Sequence, residues 1–160
     1  MLGLAKAFEA VPHHILVAIA IELGYPLVII RLCLASYRLR RSIGIEGVHS
    51  DTVVATRGIT AGSDTAATEL ELLLLPLLVL LDRQWAKALV ATVYVDDLTL
   101  IVRGLVNEVV SRLAEIFKIV IDHLQNTLLM TVSKEKSTTV ASRPSLAIAI
   151  ADRVADGVVK

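Results

Sequence analysis

Tyr94-Val95-Asp96-Asp97 lies between two short apolar runs, residues 88–93 before it and 98–102 after it. Two apolar runs joined by a short polar bend read as a β-hairpin. Asp is disfavoured within strands. Adjacent carboxylates also repel each other unless a cation lies between them. Asp oxygens suit a hard divalent ion such as Mg²⁺. One reading of the bend is a turn that delivers one or two carboxylates to a metal. The other is a solvated turn, because Asp is a common turn residue. The pair alone does not choose between them.

Three further stretches bear on the choice. Upstream, Leu2-Gly3-Leu4-Ala5-Lys6-Ala7-Phe8-Glu9 runs on into Val11-Pro12-His13. In the middle stands Arg57-Gly58-Ile59-Thr60-Ala61-Gly62-Ser63. Downstream comes Val132-Ser133-Lys134-Glu135-Lys136-Ser137. With the Asp-Asp bend, and in this order, they resemble the palm motifs of reverse transcriptases of the non-LTR retrotransposon type. The first is similar to Asp-Leu-x-Lys-Ala-Phe-Asp/Glu and the second to Arg-Gly-x-x-Gln-Gly-Ser. The third is Tyr-x-Asp-Asp, and the fourth is a strand ending in Lys-Thr/Ser.

The resemblance covers residues 1 to about 142 and leaves 143–160 as a C-terminal stub. It implies a partial domain, a palm without the fingers and thumb that flank it in the family. The fold it implies is α+β: an antiparallel palm sheet carrying the Asp-Asp hairpin, with helices packed mainly on one face. The implied activity is RNA-directed DNA synthesis, with RNA template, DNA primer and deoxynucleoside triphosphates as partners. Asp96 and Asp97 would be the catalytic carboxylates and would hold Mg²⁺. Phe8, Gly62 and Lys136 would line the nucleotide site. Phe8 falls at the family's steric gate beneath the sugar, and Lys136 at its lysine near the triphosphate. The plain alternatives are a core ring for Phe8 and a turn lysine for Lys136.

The departures from the pattern are specific. The first motif's metal-binding Asp falls at Gly3, which has no ligand. The second motif's Gln falls at Ala61 and its usual Pro at Thr60. Two-metal nucleotidyl transfer needs carboxylates that bridge ions about 3.5–4 Å apart. The carbonyl of Leu4 carries no full charge. Glu9 lies six residues beyond Gly3 and would not reach the same spot if residues 2–6 form a strand, which rises about 3.3 Å per residue. Activity is therefore expected to be weak or absent. Two rivals stand beside this reading: a noncatalytic interaction module that keeps the fold, and a membrane-associated helical protein.

Composition limits the options further. The 160 residues fit one domain. The hydrophobic fraction is 55% and aromatics are 4%, so the core should be aliphatic. Sixteen basic residues balance sixteen acidic ones, without the basic excess usual in nucleic-acid binders. Cys33 is the single cysteine, which excludes an intrachain disulfide and a Cys-based zinc site. Residues 15–35 are long enough to span a bilayer, but Gly24 and Pro26 break the run. Its acid, Glu22, would cost about 2.5–3.5 kcal/mol at a helix centre. Residues 72–81 are shorter than the roughly 18 a span requires. No signal peptide is expected, and the compartment stays open.

Periodicity predicts helices over 12–24, 26–38, 64–85 and 106–127, with Pro76 kinking the third. Strands are expected over 42–46 and 52–56 around 47–51, and over 128–132 and 138–142. His13 and His14 read as exposed residues at a helix start. Residues 143–160 show no clear period.

Overall fold

The computed structural model describes residues 1–158. In chain order these form β1 (Leu2–Leu4), α1 (Ala7–Ala10), α2 (His13–Glu22), α3 (Leu27–Tyr37), β2 (Gly44–Ile45) and β3 (Val48–His49). There follow α4 (Ala66–Trp85), β4 (Leu89–Tyr94), β5 (Asp97–Val102), α5 (Val106–Asp122), β6 (Val132–Ser133) and α6 (Pro144–Val158). A π-helical turn, His123–Thr127, extends α5. The fold is α+β.

The main sheet has the order β4-β5-β1-β6, and every pairing is antiparallel. Side chains alternate across a strand, so directly paired residues share a face. Leu89, Ala91 and Val93 of β4 lie opposite Val102, Leu100 and Leu98 of β5, and all six face the core. Leu2, Leu4 and Val132 continue that layer across β1 and β6. Val90, Tyr94 and Ile101 are exposed on the other face.

The helices supply the covering layer. In α4, Leu70, Leu73, Leu77 and Leu81 recur at three and four and are fully buried. Leu16 and Ala20 of α2 and Ile116 and Val120 of α5 join the same core. Burying one such side chain stabilises by roughly 1.5–3 kcal/mol, so α4 anchors the domain. It passes through Pro76 as one helix.

The four expected helices are present, each within two residues at either end, the fourth finishing as the π turn. Other expectations need correction. The 42–56 region forms a tighter hairpin, with Glu46-Gly47 as a two-residue loop between Ile45 and Val48. Both loop residues have positive φ, at 50° and 83°, the pattern of a type I′ turn. Residues 52–56 form no strand and give one isolated bridge, Val53 to Arg41. Of 128–132 only the end enters the sheet, as β6. Residues 138–142 form no strand. Residues 144–158 are helical, and Leu146 and Ile150 pack on Val109 of α5.

His13 is also corrected. It is 1% exposed, whereas His14 is exposed. The Arg38 Nε donates to His13 Nδ1 at 3.2 Å. That leaves His13 Nε2 as the donor to the Gly58 carbonyl at 2.6 Å. Local sequence carried no sign of either distant partner.

Candidate functional site

The site begins with the turn. Tyr94 pairs with Asp97, leaving Val95 and Asp96 as a two-residue loop. Of these two only Val95 has positive φ, at 56°. Those signs match a type II′ turn, whose first loop position normally takes Gly. A β-branched residue there is strained, and such strain tends to collect at functional sites.

Register then places the neighbours. Asp97 lies opposite Gly3, and Gly3 lies opposite Ser133. Tyr94, Asp97, Gly3 and Ser133 therefore form one row across all four strands, on the face away from the helices. The Leu4 N–H donates to the Asp96 carbonyl at 3.1 Å, which ties the loop to β1. A Cβ added at Gly3 would sit 3.4 Å from Asp97 Oδ1. A carboxylate at position 3 would thus stand beside Asp97.

Lys136 occupies that space. Its Nζ lies 3.2 Å from Asp96 Oδ2. Its stem crosses Gly3 so closely that an added Cβ would come within 2.5 Å of Lys136 Cβ and 3.1 Å of its Cδ. The local chain path explains the position. After Ser133 the chain turns through 134–137, held by Ser137 Oγ donating to the Ser133 carbonyl at 2.6 Å. It returns alongside the residue before β1 at Thr138, which exchanges two bonds with Met1. Continuous antiparallel pairing would reach Met1 three residues sooner. The extra residues arch over the sheet and lay Lys136 on Gly3.

Phe8 and Gly62 belong to an adjoining unit. Phe8, on α1, is half-buried and packs against the core. Its carbonyl accepts from the Ile59 N–H at 2.8 Å, and the Val11 carbonyl accepts from Gly58 N–H at 2.7 Å. Gly58 has φ 92°, and a Cβ there would lie 3.0 Å from the Glu9 carbonyl oxygen. Only glycine permits that approach. Arg57 Nη2 donates to the carbonyls of Ala10 at 2.9 Å and Leu129 at 3.1 Å. The 57–62 loop is thereby fastened to α1. Gly62 lies at its exposed end, where an added Cβ would meet nothing within 4 Å.

The structure brings Gly3, Asp96, Asp97 and Lys136 together. Phe8 is held by the separate contacts around Gly58, and Gly62 lies at the exposed end of that loop. Residues 1–149 match the family model of reverse transcriptase (RNA-dependent DNA polymerase). The chain belongs to the reverse transcriptase family. No curated protein matches it.

Members of this family imply a divalent metal, and the donors in this reverse transcriptase domain do not fit a two-ion site. Gly3 supplies no oxygen from a side chain, and Asp96 is already paired with an ammonium. Among the described residues, no group of three or more His, Cys, Asp and Glu side chains is placed to share a metal ion. Among them also, no helix is long and apolar enough to cross a membrane.

Two features of the reverse transcriptase domain went unread in the sequence. One is the Lys136–Asp96 contact, which depends on the arch at 134–137. The other is Glu69, 0% exposed within α4. Its Oε2 accepts from the Tyr37 hydroxyl at 2.9 Å, while its Oε1 is buried without a partner. Glu69 stands three residues after Ala66 and four before Leu73, so helical spacing alone placed it on the core face. Burial pushes the Tyr37 hydroxyl and the Cys33 thiol above their ordinary values.

Proposed function

We propose that this chain is a reverse transcriptase palm whose polymerase activity is weak or absent. The observation that carries the reading is the register of Gly3 against Asp97. It puts a residue without a ligand where the family's first-motif carboxylate would complete the Asp96–Asp97 pair. The Val11-Pro12-His13 continuation supports the non-LTR retrotransposon type.

Residue roles follow from the same assignment. Asp96 and Asp97 remain the only carboxylates at the turn able to attract a cation such as Mg²⁺. Phe8 would lie under the sugar of an incoming deoxynucleotide. Gly62, exposed and free of side-chain bulk, would let template or nucleotide approach the main chain. Lys136 Nζ already lies 3.2 Å from Asp96 Oδ2, so a triphosphate would compete with that carboxylate for the same ammonium. RNA template and DNA primer are the partners this reading implies. Formal zero net charge predicts weak, salt-sensitive binding to them.

Primer extension tests the proposal. The purified chain is given an RNA template, a DNA primer and deoxynucleotides, with Mg²⁺ or Mn²⁺. Incorporation should not exceed that of an Asp96→Asn/Asp97→Asn control. Robust extension above the control overturns the reading.

A further inference from the structure

We propose that Lys136 is the resident cation of this acidic turn, and that Gly3 is the residue that admits it. The proposal rests on the reading of Asp96 and Asp97 as a former metal site.

Two acids sit at adjacent positions on one turn, and their charges repel unless something positive lies between or beside them. In this chain that charge is an amine. Lys136 Nζ lies 3.2 Å from Asp96 Oδ2, at ion-pair distance. Among the described residues the only other ion pair is Arg112 with Glu108, on α5. The Asp96 side chain is 27% exposed and that of Lys136 55%, so the contact is half-sheltered.

Gly3 and Lys136 fit each other sterically. Gly3 has no side chain of its own and is nevertheless buried, because the lysine stem covers it. Any side chain at position 3 would strike Lys136 Cβ, close to the backbone, where rotation of the flexible end gives no relief. The arch at 134–137 would have to lift. A carboxylate at position 3 and a lysine lying flat on it are therefore mutually exclusive. Loss of the carboxylate and capture of the amine are two sides of one change. An ammonium neutralises one charge at Asp96 and presents no open coordination position to substrate.

The consequence is competition. A divalent ion approaching Asp96 must displace Lys136 or bear its repulsion at a few ångströms. In near-aqueous surroundings that repulsion lowers affinity about tenfold at moderate salt. A second consequence is less intuitive. Gly3→Ala adds no ligand, yet it should strengthen metal binding, because its methyl group evicts the lysine.

The test is Mn²⁺ binding to the full chain, followed by the loss of the free-ion electron paramagnetic resonance signal. Lys136→Met and Lys136→Gln should each tighten binding about tenfold, and Gly3→Ala should move in the same direction. Asp96→Asn in the Lys136→Met background should abolish the gain. Lys136 is exposed, so its variants should fold, and they decide the matter if Gly3→Ala does not. Unchanged or weaker Mn²⁺ affinity in both Lys136 variants overturns the proposal. That result leaves the inactive-palm reading intact, since primer extension tests it without reference to Lys136. Conversely, robust extension by the unaltered chain overturns that reading, whereas the affinity shift reports only on Lys136.

Discussion

On the proposed assignment of the first motif, Gly3→Asp puts a carboxylate back at the family's position, and the structure predicts that it will first do harm. The new Cβ would come within 2.5 Å of Lys136 Cβ. Forcing bulk into such a contact typically costs about 1–3 kcal/mol. The new carboxylate also arrives beside Asp97 Oδ1, adding like-charge repulsion. For a chain of this size each kcal/mol shifts the melting temperature by about 2–4 °C. Gly3→Asp in EDTA should therefore melt roughly 2–12 °C below the unaltered chain. Mn²⁺ should recover part of that loss, because three clustered acids bind a divalent ion only in the folded state. Adding Lys136→Gly, which removes the Cβ that the new side chain strikes, should recover the steric part without metal. Differential scanning fluorimetry with and without Mn²⁺ reads all four conditions. If Gly3→Asp melts at the unaltered temperature in EDTA and ignores Mn²⁺, position 3 does not face the acidic turn, and the assignment of the first motif fails.

Three other outcomes follow from the packing. Glu69→Met should raise stability by about 1–3 kcal/mol in urea denaturation, because it removes a buried oxygen without a partner while Tyr37 keeps Ser63 at 3.2 Å; a fall in stability would show that Oε1 has a partner in solution. Arg57→Met should lower stability by about 1–2 kcal/mol, through loss of the two carbonyl bonds that fasten the 57–62 loop to α1 and to Leu129; an unchanged urea midpoint would refute that fastening. Burial holds the His123 imidazole below its ordinary value, against a smaller opposing pull from Asp122. The unfolded chain therefore takes up the proton first, at about pH 6.5. Stability is complete above that pH and falls as the pH drops below it toward the lower folded value. His123→Leu should flatten this slope between pH 7.5 and 5, and an unaltered slope would refute the assignment.

The acidic turn was legible because its signal is local: apolar runs on either side and Tyr-Val-Asp-Asp between them. The long helices were legible for the same reason, since Leu70, Leu73, Leu77 and Leu81 keep one face without help from elsewhere. What escaped depends on distant partners. His13 is buried by Gly58 and Arg38, neither near it in sequence. Residues 138–142 have strand composition, but Thr138 meets only Met1, just ahead of β1, so no ladder forms. The helix α6 was hidden because Ile148, which is exposed, stands between the buried Leu146 and Ile150 and blurs the helical period. At the site, the resemblance pointed to Gly3 as a position without the expected carboxylate, but not to the lysine stem that lies on it. That required the arch at 134–137, whose length no periodicity reveals.

On the reading proposed above, this turn cannot hold two divalent ions. Saturating the unaltered chain with Mn²⁺ and recording its electron paramagnetic resonance spectrum tests that directly, since two ions about 3.5–4 Å apart couple magnetically. At most one bound ion per chain is expected, lost on Asp96→Asn/Asp97→Asn, with the spectrum of an isolated ion. A coupled two-ion spectrum that the same double substitution abolishes would contradict it.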